Sequence, residues 1–547
     1  MSFFKKIFFA FTKRERDAFL AASAIAVISS LAMMGIFIAQ ATTSVPAAGG
    51  QYTDGVVGQP EYVNPVTAAT ETDLGLVKMV YSNMSDIADA ITVSPDGKTW
   101  TVRLKENLHW QDGEKLTSDD VIFTVESIQN PDAESPLASS WQGVAVSRSS
   151  ELELQFSLPA SYVFFKNDLN DLYIIPKHIF ADVPPGNWHL SDYNLKPVGS
   201  GPYQFVSYDK GSDGFITSYR LAAWNGSFSK NPLIPSFAFD FFRNEDCLIK
   251  AFNSGQIDGF APASPASINA IKRPYNLSSS RATDYYAVFL NQSVNAALQD
   301  SAVRNALAIA VNRDNLVSQA LGENGTPDYG PIPPDAAYAV PSTATTSPDA
   351  ATAILDAAGW KIGPDGVRAK TARNTTTSLA FTLTVPDIDF LVKTAEGLQD
   401  DWQKIGVHMT IATGSPAGVG GNIISNRTYE ALLFGNILGP SSDLYSFWDS
   451  SERFSPGLNL AIYSNTKVDN LIKMARTSMD DATRAKDLAA AQNDIVADMP
   501  AIFLYSTNDL YVAGKNIKGI VASSLSNPSD RFREVPDWYL ETARVLK

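Results

Sequence analysis

From Ala18 to Ala41 the chain runs without a charged side chain, and this one segment constrains everything that follows it. The run exceeds the ~18–20 residues needed to cross a hydrocarbon core and the ~7–15 residues usual for the apolar part of a signal peptide. Lys5, Lys6, Lys13, Arg14 and Arg16 precede it, and the next charge beyond it is Asp54. Because positive residues favour the cytoplasmic side, residues 1–17 read as a cytoplasmic basic segment and 18–41 as a transmembrane anchor or signal segment. The body then lies outside the membrane. Ala39-Gln40-Ala41 resembles a small-x-small cleavage site, but the length of the run and the lack of a following cysteine for lipid attachment favour a retained, single-pass anchor. Residues 42–51 are small, polar and punctuated by Pro46, Gly49 and Gly50, the composition of a flexible linker.

At 547 residues the chain exceeds one ordinary domain, so two or more lobes are expected. A net charge of −15 argues against nucleic acid or an anionic membrane surface as partner. Cys247 is the only cysteine, so no intrachain disulfide and no cysteine-based metal cluster can form. It reads as a small buried core residue.

Short β-branched and aromatic runs alternate with amphipathic helical stretches, the pattern of a mixed α/β fold. Thr101-Val-Arg-Leu and Glu151 to Leu158 alternate as half-buried strands. Thr117 and Ser118 are candidate caps for a helix whose first turn carries Asp119 and Asp120. Further helices are expected after Asp300, from Phe390 to Ile405 closing at Gly406, and from about Ser478 to Met499, stopped by Pro500. Residues 327–348 read as a surface loop.

The inventory of reactive motifs is empty. There is no phosphate-binding loop, no nucleophile elbow and no zinc-protease motif. His109, His178, His189 and His408 are scattered without ligand spacing, and Asp112-Gly113 lacks the repeated oxygens of a calcium loop. These absences point to binding rather than catalysis, with no catalytic residue, no metal ligand and no cofactor.

Several blocks carry a resemblance. They are Gly58-Gln-Pro-Glu-Tyr-Val-Asn-Pro, the stretch from Thr99 to Phe123 containing Trp110-Gln-Asp-Gly, Ile174-Ile-Pro-Lys-His, Pro197-Val-Gly-Ser-Gly-Pro-Tyr, Ala251 to Asp258, Tyr285-Tyr-Ala-Val-Phe-Leu-Asn-Gln, Val303-Arg-Asn-Ala-Leu and Pro500-Ala-Ile-Phe-Leu-Tyr. In this order they resemble the family-5 extracellular solute-binding proteins, the peptide- and nickel-binding components of ABC importers. The resemblance implies a two-lobed periplasmic-binding-protein-like fold with ligand enclosed between lobes by hinge closure. Lobe I would span 52–284, with an inserted subdomain at about 87–188. Lobe II would span 285–504, and 505–547 would return to lobe I. The implied ligand is a peptide, and the implied partners are ABC permease subunits.

Carried over block by block, the implied ligand-contacting residues are Gly58, Gln59 and Glu61 on the opening strand, Tyr285 and Tyr286 at the first crossover, and Tyr505 at the second. Phe434, Gly435, Asn436, Ile437 and Leu438 form a strand edge that would pair with peptide backbone, and Trp448 follows it. Ordinary core packing is the competing reading for each aromatic. Dipeptide-binding relatives place an Asp where Ile437 stands and an Arg near the position of Val385. Without that charge pair an oligopeptide is favoured over a dipeptide. Because this alignment passes through a variable loop, Asn436 and Asp443 are the alternatives that would reach the ligand instead of Ile437. A nickel chelate or sugar receptor of the same fold, or a peptide-binding chaperone or sensor, are the alternatives.

Overall fold

The computed structural model describes residues 11–547 apart from 263–264, 335, 342–345, 373, 440 and 522–524. Lys13–Ala41 is one helix, and its apolar side chains from Phe19 to Phe37 are exposed rather than packed on the body. Helix formation inside the segment satisfies every mid-segment backbone group, whatever surrounds it.

The residues after this helix depart from the expected linker. Thr42–Ala47 is a strand, paired antiparallel with Glu541–Leu546 from Thr42 opposite Leu546 to Ala47 opposite Glu541. The β-branched Thr42, Thr43 and Val45 suit a strand, and Pro46 is tolerated because this two-stranded ribbon has only edges. Its partner lies at the far end of the sequence, which local composition cannot reveal.

The body is mixed α/β and two-lobed, organised by a twelve-stranded sheet among the described residues. Ala501–Gly514 is the strand both lobes share. Its first half pairs with Asp284–Leu290, placing Tyr286 opposite Tyr505 and Phe289 opposite Ala501. Its second half pairs with Tyr275–Arg281, placing Ser280 opposite Asp509 and Ser278 opposite Tyr511. The chain therefore crosses between lobes along two adjacent antiparallel strands. On one side Asp284–Leu290, Ala431–Ile437, Ala380–Pro386 and His408–Gly414 continue the sheet. On the other side Gly259–Phe260, Gln51–Val57, Ser236–Phe242, Ile216–Ala223 and Tyr203–Lys210 do so.

Each face of the lobe II sheet has its own apolar core. One gathers Leu307, Leu383, Trp402 and Tyr505, and the other Tyr285, Leu432, Trp448 and Phe503. A separate antiparallel sheet runs Ala88–Val93, Thr99–Leu104, Glu153–Ser157, Ala145–Ser150, with the helix Ser118–Gln129 packed beside it. Thr117 caps that helix in a reciprocal capping box with Asp120. Asp120 does more than suit the dipole: its carboxylate accepts the N–H of Thr117 at 2.8 Å and that of Lys177 at 3.0 Å, fixing the Pro-Lys-His block.

The helices Ser301–Ala310, Asp389–Gln403 and Asp481–Asp498 form where the apolar spacing places them, with Asp300 and Asp480 as N-caps and a positive φ at Gly406. Part of the expected loop at 327–348 lies outside the described residues. Cys247 corrects an expectation, because it is exposed. It sits in the first turn of Glu245–Ser254, whose inward face is formed by Leu248, Ile249, Ala251 and Phe252.

Candidate ligand-binding cleft

The crossing strands form the floor of a cavity of about 240 Å³ between the lobes. Lobe II contributes Tyr286, Leu321, Asn324 and Phe390. The shared strand contributes Thr507, Asn508, Asp509, Leu510 and Tyr511. Lobe I contributes Ser278, Ser280, Arg531, Glu534 and Trp538. A neighbouring cavity of about 190 Å³ shares Ala261, Pro528 and Arg531 with the first and reaches Val57 and Thr72. Together they make a groove from the end of the opening strand to the rings of Tyr286 and Phe390.

Charge in this groove is held in two arrangements. Asp54 is fully buried behind the wall, where it accepts a 2.5 Å hydrogen bond from Tyr511 and lies 3.5 Å from the Arg531 guanidinium. Burial pushes its carboxyl up to about 6, opposed by Arg531 and the Tyr511 hydroxyl. The Arg531 guanidinium stacks on Phe532 at 4.2 Å and Tyr511 at 5.2 Å, and its buried Nε has no hydrogen-bond partner among the described residues. The second arrangement is Asp509, pushed up to about 7 by burial, by Asp284 and by Glu71 and Asp530, with Arg531 opposing. Its carboxylate makes no hydrogen bond or ion pair among the described residues.

The residues carried over from the resemblance divide between groove and interior. Tyr286 lines the cavity, with its ring edge-on to Phe390 at 5.3 Å between centroids. Gly435 lies behind it: a Cβ there would stand 2.7 Å from the Tyr286 ring. Ile437 is 63% exposed at the end of its strand. That strand pairs with Asp284–Leu290 along its whole length but with Ala380–Pro386 only at Ala431 and Leu432. The backbone edge of residues 433–437 on that side has no strand partner among the described residues. Gly58 follows Val57 with φ +112, a conformation only glycine adopts without strain, and Glu61 is exposed nearby.

The others point inward, and there the reading of a ligand contact is corrected. Gln59 accepts the backbone N–H of Ile216 at 2.9 Å and so fastens a strand. Tyr285, Asn436 and Trp448 close on one another in the core. The Tyr285 hydroxyl accepts from Asn436 Nδ2 at 2.8 Å and Trp448 Nε1 at 3.2 Å. Tyr505 is fully buried with its hydroxyl 2.6 Å from Thr394 Oγ1. Leu438 is buried and Phe434 half-buried in the second lobe II core. Asp443, an alternative for the Asp position, is held by Arg476 at 3.0 Å and by the Tyr162 hydroxyl at 3.3 Å. The same inward placement is what a buried hydroxyl or amide needs, since unpaired burial costs ~1–3 kcal/mol. Reading the sequence missed Asp509, Ser280, Phe390 and Arg531. The polar run Thr507-Asn508-Asp509 inside a largely apolar strand was the available signal for the first.

Among the described residues no group of three or more His, Cys, Asp or Glu side chains could hold a metal ion. His178 is 2.8 Å from Asp112 and His109 turns to its own backbone at Asn107.

The comparisons with known proteins agree with this architecture. The family profile "Bacterial extracellular solute-binding proteins, family 5 Middle" matches residues 84–455. The oligopeptide-binding protein AppA of Bacillus subtilis is 24% identical over 95% of this chain and 99% of its own length. Among solved structures, the ABC transporter substrate-binding protein CtaP of Listeria monocytogenes superposes with a TM-score of 0.76, at 25% identity, over 90% of this chain and 99% of that one. The structure of Bacillus subtilis AppA with a nonapeptide superposes at 0.69, with 24% identity, over 91% of this chain and 100% of that one. With its two lobes, the groove between them and a profile match across both, the chain belongs to the family-5 bacterial extracellular solute-binding proteins.

Proposed function

We propose that the chain is the extracytoplasmic receptor of an ABC importer, holding an extended peptide between its lobes and delivering it to the permease. One observation carries this reading: the unpaired backbone edge at 433–437, on the strand whose Gly435 backs the cavity-lining Tyr286. An exposed strand edge offers main-chain hydrogen bonds that tolerate any peptide sequence. In this reading Gly58, Glu61, Tyr286, Gly435 and Ile437 border the ligand, oligopeptides are preferred to dipeptides, and the lobes part at 284/285 and 504/505. The helix Lys13–Ala41 is apolar enough to cross a membrane, and in this reading it is a retained anchor with the body outside.

Native mass spectrometry of the full chain, purified in mild detergent, tests the proposal. A ladder of co-purifying peptides, identified after release, is the expected result. A metal chelate or a sugar in their place would overturn the peptide reading while leaving the family assignment intact.

A further inference from the structure

We infer that residues 161–164 of the inserted subdomain form a clasp on lobe II that holds the lobes shut with or without ligand, so that ligand entry and exit both wait on its release. The inference rests on lobes that part by a hinge, and it holds whatever the ligand is.

Phe164 and Phe165 are neighbours in the chain but are buried in different cores. Phe165 packs on Trp100, Trp141 and Phe156 inside the subdomain, with ring centroids 5.8, 5.5 and 5.6 Å away. Phe164, only 5% exposed, lies instead in the core that lobe II builds around Trp448 and Phe503. Two residues earlier, the Tyr162 ring lies 4.7 Å from the guanidinium of Arg476, which Tyr445 of lobe II also faces at 4.2 Å. The Tyr162 hydroxyl donates to Asp443, whose carboxylate is paired with the same arginine. Between the two rings, the backbone N–H of Val163 donates to the carbonyl of Arg476 at 2.9 Å. One short segment thus sets two rings and a backbone bond on lobe II. By chain, lobe II joins lobe I only at the two crossing strands, and the clasp stands far from both in sequence. Rotation about those strands separates contacts lying away from them, so the lobes cannot part while the clasp is made. Residues 161–164, Asp443 and Arg476 lie outside the lining of both groove cavities, so the clasp closes without touching ligand. It therefore favours the shut state equally with the groove filled or empty. Such a contact slows exchange and leaves affinity nearly unchanged.

Spin labels on the native Cys247, exposed in lobe I, and on Asp400→Cys, exposed on the lobe II helix Asp389–Gln403, report lobe separation by double electron resonance. The full chain is measured in mild detergent after bound ligand has been removed. One distance is expected in the unmodified protein, and Tyr162→Ala/Phe164→Ala should add a longer one. Tyr162→Ala alone, at a half-exposed ring, is the milder variant and should shift the same way. A fluorescein-labelled hexa-alanine peptide then serves as the kinetic probe. Its association and dissociation should both quicken ~10-fold in the double variant, with Kd changed less than ~3-fold. A distance unchanged in both variants overturns the clasp, and so does a ligand-free unmodified protein that is already open. Faster dissociation alone would make these residues ligand contacts and overturn it as well. A probe that binds neither protein counts against the peptide reading, and the distances still decide the clasp.

Discussion

Asp284 accepts both the backbone N–H and the hydroxyl of Thr507, at 3.1 Å and 2.7 Å, and so joins the two strands where they cross between lobes. Each strand changes partners within a few residues of this pair: Asp284–Leu290 begins there, and Thr507 separates the two halves of the shared strand. Thr507→Val removes one hydrogen bond and is expected to cost ~1 kcal/mol, whereas Asp284→Ala strands a backbone N–H and should cost ~2 kcal/mol. Urea denaturation of the two variants checks the order, and small-angle scattering should show a larger radius of gyration for Asp284→Ala alone.

Gly435 and Tyr505 should respond in opposite ways. A Cβ at Gly435 meets the Tyr286 ring at 2.7 Å, so Gly435→Ala pushes that ring into the cavity. The ring yields into open cavity space, so the melting temperature should change little while ligand affinity falls ~10-fold. Tyr505→Phe loses only the bond to Thr394, so stability should fall by ~1 kcal/mol with affinity unchanged. Titration calorimetry and thermal melts on both variants separate the two.

Asp168 gives the fold a pH dependence of definite sign. Burial first, then the nearby Asp171 and Asp443, push its carboxyl up to about 7, against Arg476. From about pH 4 to about pH 7 the unfolded chain releases this proton and the folded chain keeps it. The contribution of Asp168 to stability therefore falls as pH rises through that window. Asp168→Asn is expected to flatten the decline in melting temperature between pH 5 and pH 8. A slope identical to that of the unmodified protein would refute the assignment.

The Gly-Ser-Gly-Pro-Tyr block makes a sharper stability prediction. A Cβ on Gly199 would lie 1.9 Å from the carbonyl oxygen of Val80, and one on Gly201 would lie 2.7 Å from the Val80 carbonyl carbon. Backbone cannot move aside as a flexible side chain can, so Gly199→Ala should cost at least ~3 kcal/mol. Soluble yield and chemical denaturation read the loss directly.

Deleting residues 541–547 should leave the cores untouched, because every residue of Glu541–Leu546 is exposed. The melting temperature should hold, within an effect of ~0.5 kcal/mol. Limited proteolysis should instead begin to cut at 42–47, whose one strand partner among the described residues has gone.

These contrasts explain what was legible in the sequence. The blocks that carried the resemblance prove to be places where backbone meets backbone. Gln111 accepts from the N–H of Gly199 at 3.0 Å and donates to the carbonyl of Tyr203 at 2.8 Å, tying Trp-Gln-Asp-Gly to the glycine block against Val80. Arg304 of the Val-Arg-Asn block donates to the carbonyls of Leu298, Asp498 and Met499. Such contacts need one particular residue type, so they mark the fold clearly. They say little about ligand, which is why Tyr285, Tyr505 and Trp448 read as site residues and lie in the interior. The groove is assembled from side chains far apart in sequence, Ser280, Phe390, Asp509 and Arg531, each unremarkable among its neighbours. The ribbon of Thr42–Ala47 with Glu541–Leu546 was hidden for the same reason.

In the receptor reading, that ribbon also bears on which half of the molecule would move. Thr42–Ala47 leads directly into Gln51–Val57, while Glu541–Leu546 follows Trp538, which packs edge-on to Tyr52 at 5.7 Å. Both approaches to the apolar helix thus end in lobe I, and the second lobe is reached only through the two crossing strands. Any restraint applied through that helix would make lobe I the stationary jaw. The stroke that opens and shuts the mouth would then belong to lobe II, travelling over a partner held at constant height.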